Sequence, residues 1–332
     1  MSNPVLVEVL RGARIESRHR GAVAVADAAG KAVLALGDVE SPIFPRSAVK
    51  ALQALILVET GAADACGFGD EELALACASH SGEPGHVAGV ARMLAKTRLD
   101  ASALACGAHW PLSQPATAAL ARSGEPTALH NNCSGKHAGF ICDACAIGVG
   151  HIGYWKPDHP VQQQVRAALE DLSGAELSED RRAVDGCSVP TWAMPLQNLA
   201  HAFAKFGTGH RLAPERARAA ARLRAACAQK PWHVAGTGRF CTEIMRLFGT
   251  RVFVKTGAEG VYCGALPELG LGVAIKCDDG AGRAAQAITA ALIAHFLPLS
   301  DAERVALTPF VQPTLRNWNG FEVGSVRVTE AI

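Results

Sequence analysis

The sequence predicts an α+β chain in which an antiparallel sheet is assembled from both termini and a helical lobe is inserted between them. Apolar residues recur at strand spacing near both ends of the chain and at helical spacing through its middle. In chain order, residues 6–10 and 22–27 alternate as strands do, a turn falls at Ala29-Gly30-Lys31, and residues 32–36 make a third run. From Ser47 to about Ala228 helical periodicity dominates. Loops rich in Gly, Pro and Asn break it around residues 79–84, 108–115, 131–135 and 185–190. Strand character returns at 251–255, 260–265 and 272–277, a helix is expected over 281–296, and the chain closes on the apolar pair Val326 and Val328. The expected organisation is one unit over 1–332. Its sheet lobe comprises 1–44 and 232–332, its helical lobe 45–231, and the cleft lies where they meet.

Composition narrows the function classes. At 332 residues and 49% hydrophobic, the chain can bury a large core. Lys plus Arg at 32 nearly cancels Asp plus Glu at 31, and aromatics are only 5%, so no nucleic-acid surface is expected. No uncharged apolar stretch reaches the roughly 18 residues of a membrane helix. The first residues lack the basic region, apolar run and cleavage site of a secretory signal. The expectation is a cytoplasmic chain, off the membrane, with its 11 cysteines reduced and mostly packed as small core residues.

Four segments carry chemistry. The first is Ser47-Ala48-Val49-Lys50, ahead of an apolar run. Residues three apart on a helix share a face, which sets a nucleophilic hydroxyl beside an amine that burial or a neighbouring cation can make a base. Lys50 is expected to be that neutral base, beside a Lys255 cation. The second is Lys255-Thr256-Gly257 at the end of a strand; with an upstream S-x-x-K, it is the pattern of the penicillin-recognising serine hydrolases and β-lactamases. The third is Ser79-His80-Ser81-Gly82-Glu83, which either sets a second serine near Lys255 or is a hydrogen-bonded turn capping the next helix.

The fourth pairs Asn132-Cys133-Ser134-Gly135-Lys136-His137 with Asp185-Gly186-Cys187. Two thiolates, one nitrogen from Lys136 or His137, and a water would make a tetrahedral zinc site; the competing reading is two unrelated buried cysteines. Cys142-Asp143-Ala144-Cys145 has no second pair at matching spacing and reads as packing. Gly236-Thr237-Gly238 lacks the third glycine and the preceding strand of a dinucleotide fingerprint.

Together with 44–50, 131–139, 185–190, 234–240 and 255–260, these segments resemble the Rhizobium etli type (class 3) L-asparaginases, the asparaginase II family, over nearly the whole chain. The resemblance implies a serine β-lactamase-like fold, a homodimer, and hydrolysis of L-asparagine to L-aspartate and ammonia. It implies two Ser-Lys pairs, Ser47 with Lys50 and Ser79 with Lys255, and a zinc ion on Cys133, Lys136 and Cys187. Arg46, His80, Glu83, Asn132, His137 and Asp185 are then expected to bind substrate or to support the site. Three alternatives stand beside this reading: another serine amidohydrolase, such as a glutaminase or a β-lactamase-like enzyme; a zinc amidohydrolase whose metal-bound hydroxide attacks; and a nonenzymatic ligand-binding protein that kept the fold.

Overall fold

The computed structural model describes residues 2–332. Strands β1 (Val5–Arg11), β2 (Arg14–Asp27), β3 (Ala32–Leu36) and the short β4 (Pro42–Ile43) open the chain. A 3-10 turn over Arg46–Val49 then leads into α1 (Lys50–Gln53). The helical segment continues through α2 (Leu55–Glu59), α3 (Ala62–Ala65), α4 (Asp70–Ala76), α5 (Pro84–Lys96), α6 (Gln114–Leu120), α7 (Ser134–Ala146) and α8 (Pro160–Ser173). Short strands β5 (Arg182–Val184), β6 (Pro190–Trp192) and β7 (Met194–Pro195) precede α9 (Leu196–Thr208), α10 (Pro214–Gln229), α11 (Pro231–Val234) and α12 (Phe240–Phe248). The chain ends with β8 (Phe253–Thr256), β9 (Val261–Leu266), β10 (Leu271–Cys277), α13 (Gly282–Phe296), α14 (Asp301–Val311), β11 (Thr314–Arg316) and β12 (Glu322–Val328).

Eight strands make one antiparallel sheet in the order β11-β12-β1-β2-β10-β9-β8, with β3 also paired to β2. The sheet therefore draws on both termini, and the architecture is α+β as the sequence predicts. The alternation in β2 has a different cause from the one expected. Residues Ala22 to Ala26 are buried at every position, not at every second one. Register sets Ala24 against Ala274 and Ala26 against Gly272, so that stretch of one sheet face carries small residues, and α9 packs close upon it. Val23, Val25, Val273 and Ile275 fill the opposite face, and α13 also packs on β10 and β9. The pattern is small against branched, because both faces are covered.

Several elements were not legible in advance. The polar first half of β2, β11 and α14 lie outside the expected elements, although Ser300 and Glu303 form a capping box that marks the start of α14. The helical segment also contains a two-stranded sheet, β5 with β6, its β7 pairs with β4 from the opening strands, and its α9 serves the main sheet. The expectation of wholly reduced cysteines is corrected: packing of α7 against the end of α3 brings Cys66 and Cys142 together as a disulfide. Cys142 thus does more than fill space, and Cys145 is exposed, not packed. The other eight cysteines are buried thiols, and no helix among the described residues is long and apolar enough to cross a membrane.

Candidate active site

The 3-10 turn at Arg46–Val49 begins in a backbone conformation that side chains disfavour, with Arg46 at φ +52° directly before Ser47. Two contacts hold it. Arg46 donates to Asp185 Oδ1 at 2.8 Å from 139 residues away, and the end of β8 lies against the Pro45 carbonyl. That approach requires Gly257, where an added Cβ would meet Pro45 O and Val261 Cβ, each at 2.8 Å. The glycine of K-T-G thus seats Lys255 beside the Ser47 turn.

Lys50 and Lys255 are both fully buried and converge on one hydroxyl. Ser79 Oγ lies 3.0 Å from Lys50 Nζ and 2.8 Å from Lys255 Nζ. Lys50 also donates to the carbonyls of Ala78 (2.7 Å) and Asn132 (3.2 Å), and Lys255 to that of Thr256 (3.0 Å). The expected Ser47–Lys50 pair makes no hydrogen bond among the described residues. The Lys50 amine is engaged with Ser79, while Ser47 is half-buried and its hydroxyl has no hydrogen-bond partner among the described residues. The expected charge roles change too. Burial, reinforced by the Lys50 charge, pushes the Lys255 amine down to about 7, which makes Lys255 the available neutral base.

The second cluster lies at the start of α7. Lys136 Nζ is 3.1 Å from Cys187 Sγ, and Cys187 is hydrogen-bonded to Cys133, whose sulfur also meets Asn132 Oδ1 at 3.0 Å. All three are nearly sealed from solvent, so the reading as unrelated cysteines fails. Hydrogen bonding from Cys187 drives Cys133 well below the ordinary thiol range and raises Cys187, so the pair shares one negative charge. Burial opposes the Lys136 charge, but Cys187, Cys133 and Asp185 outweigh it and hold the amine above its usual value. Burial likewise opposes the Asp185 charge, and Lys136 and Arg46 hold that carboxyl below its usual range. Among the described residues no three His, Cys, Asp or Glu side chains group as metal ligands; the third side chain of this cluster is a lysine.

Of the remaining expected residues, His80 and Glu83 fasten loops. The Gly82 N–H donates to His80 Nδ1, so the other ring nitrogen carries the hydrogen and donates to Ser134 Oγ at 2.9 Å; this pins the Ser79 loop to α7. Burial, with His86 stacked beside it, holds His80 well below its usual value and so neutral. Glu83 accepts from the Thr237 N–H (2.8 Å) and hydroxyl (2.7 Å), tying the start of α5 to the turn before α12. Asn132 serves both clusters, through its carbonyl to Lys50 and its side chain to Cys133. His137 is fully buried with Tyr154 Oη 2.6 Å from Nδ1, and its Nε2 has no partner among the described residues. Arg239 is the residue that the sequence reading missed. Its guanidinium donates to Ser81 Oγ at 3.3 Å, two residues from Ser79, and nothing in its local pattern singles it out.

Comparison with known proteins places this arrangement. Among solved structures, the crystal structure of Mglu is 16% identical, with 83% of this chain and 67% of that one covered at a TM-score of 0.46. A beta-lactamase from Mycobacterium bovis is 15% identical, with 84% and 95% covered at 0.43. Neither overlap is close enough to bear on the chemistry. No curated protein matches the chain. The sequence profile described as L-asparaginase II, however, matches residues 7–328, a span that takes in the Ser79 cluster, the thiol cluster and every strand of the sheet, and the chain belongs to that family.

Proposed function

We propose that the chain is an L-asparaginase, hydrolysing the side-chain amide of L-asparagine to L-aspartate and ammonia through a seryl ester. The observation that carries this reading is the Ser79 hydroxyl held between two buried amines, one of them pushed down to about 7. A hydroxyl has one hydrogen and two lone pairs, so Ser79 can pass a proton from Lys50 to Lys255. Lys50, one turn after Ser47, then takes the Ser47 proton as Ser47 Oγ bonds to the amide carbon. The proton returns to the leaving nitrogen, the C–N bond breaks and ammonia departs. Water attacks the ester carbon, gives its proton to the same relay, and the Ser47–carbonyl bond breaks as Ser47 regains its hydrogen.

A second reading has the Ser79 oxygen itself acylated, and its 2.8 Å approach to Lys255 favours it. A diazoketone analogue of asparagine, followed by peptide mapping, separates the two: an adduct on Ser47 supports the first and an adduct on Ser79 the second. Release of ammonia from asparagine and glutamine by the purified protein tests the activity. Turnover indifferent to Ser47→Ala and Ser79→Ala but proportional to bound metal would sink both serine readings in favour of a metal-bound hydroxide.

Zinc belongs to this proposal. The donor chemistry of the buried trio fits it, with Cys133 and Cys187 as thiolates and Lys136 as a neutral amine once its proton is displaced. When bound, the ion would polarise and orient the substrate; Asn132 Oδ1 meets the Cys133 sulfur, and Arg46 holds Asp185, two residues before Cys187. A homodimer is the assembly that goes with this reading, and light scattering tests it.

A further inference from the structure

Five cationic side chains surround the two clusters, and four are already committed. Arg46 is paired with Asp185 at 2.8 Å, and Lys136 lies against the shared charge of Cys133 and Cys187. Lys50 and Lys255 are sealed in and spend their donors on three carbonyls and Ser79. The fifth is Arg239, at the half-exposed start of α12. It has no carboxylate within ion-pair distance among the described residues, and its one hydrogen bond is from Nη1 to Ser81 Oγ. Ser81 spends its own hydrogen on the Ala235 carbonyl at 2.9 Å, so it holds the guanidinium as a neutral acceptor and leaves its charge unmatched.

The arm is aimed by its surroundings. Gly236, at φ +120°, lets the chain turn tightly between Glu83 and Ser81, and Glu83 fixes the same turn through Thr237. Its partner Ser81 lies two residues from Ser79, which sets the guanidinium beside the loop that carries the reacting hydroxyl. A guanidinium offers five N–H donors in a planar fork that matches a carboxylate, and only one donor is in use here.

Resting on the asparaginase reading, we infer that Arg239 binds the α-carboxylate of the substrate and so restricts the site to amides that carry one. A neutral amide or one bearing only an amine would leave the guanidinium unmatched, whereas asparagine brings the missing anion to it. The residue is a specificity determinant, with no part in moving the proton.

The test compares L-asparagine with β-alanine amide, which is asparagine without its carboxylate, using wild type, Arg239→Gln and Arg239→Lys. Arg239→Gln should lower kcat/KM for asparagine roughly 10- to 100-fold, the worth of a charge-assisted contact, mostly through KM. Arg239→Lys should recover part of the loss. Turnover of β-alanine amide should stay within about twofold, because that substrate never made the contact. A fall on both amides alike, or an unchanged KM for asparagine, overturns the inference while the asparaginase reading stands. A wild-type chain that releases no ammonia from asparagine overturns the asparaginase reading itself, and this inference with it.

Discussion

Lys255 and Lys136 are buried to the same degree, yet their amines move in opposite directions. Burial lowers Lys255 and the Lys50 charge adds to it, and the opposing pull of Cys241 and Cys133 is too weak to offset them, so it falls to about 7. Lys136 faces two thiol groups sharing a negative charge and the Asp185 carboxylate, which outweigh the same desolvation and hold it up. A pair of carboxylates repeats the contrast. Asp185 lies between Lys136 and Arg46 and stays below its usual range, whereas Asp143 on α7, buried near Glu59 with one oxygen unpartnered, is pushed up to about 6. Depth alone does not decide whether a buried group is charged; the sign of its neighbours does. In this molecule the rule separates a cluster whose lysine is pushed towards neutrality from a cluster that holds charge.

The largest effect should come from cutting the proton cluster. Ser79→Ala and Lys255→Met should each lower kcat at least about a thousandfold, and the double variant should be scarcely worse than either single, because the two act as a unit. Steady-state kinetics on folded variants checks this, and a single variant within tenfold of wild type would break the division. The charge cluster should respond to different cuts. Purified protein is expected to carry about one zinc per chain, with Cys187→Ser weakening retention by about a hundredfold, since a hydroxyl replaces a thiolate. Lys255→Met should leave the metal in place. Elemental analysis showing metal lost equally from both variants would mean the two clusters are one.

The pH dependence is a gentler probe. A base must be neutral to work, so the rate should rise with pH through about 7, where Lys255 sheds its proton, and level above it. One pH unit below that midpoint the rate should be down by about tenfold. A limb near pH 9 would restore Lys50 to the role expected from sequence, and one near pH 5 would point to a carboxylate. The smallest effect concerns Asp143. Its folded pKa is raised, so its charge costs stability at neutral pH, and the cost is relieved as pH falls through about 6 towards the unfolded value. Relative to Asp143→Asn, wild type should gain about 1 kcal/mol of unfolding free energy between pH 7 and pH 5. An unchanged difference in denaturant titrations at the two pH values would mean that Asp143 has a partner after all.

By itself the sequence determined the elements and proposed a cast. The β-type runs at both ends and the helical middle were legible, because backbone preference and side-chain period are local properties repeated every few residues; Ser47, Lys50, Ser79, Lys255, Cys133, Lys136 and Cys187 entered as candidates through the motifs and the family resemblance. Tertiary structure decided how that cast is partnered. Lys255 reaches Ser79 across 176 residues and Arg46 reaches Asp185 across 139, and no spacing rule reports such distances. Only the fold revealed that the Lys50 amine is hydrogen-bonded to Ser79, that Cys66 meets Cys142, and that Arg239 has no carboxylate within ion-pair distance among the described residues. The protonation of a buried group sums charges through space over every segment packed around it, so it could be read only once those segments were together.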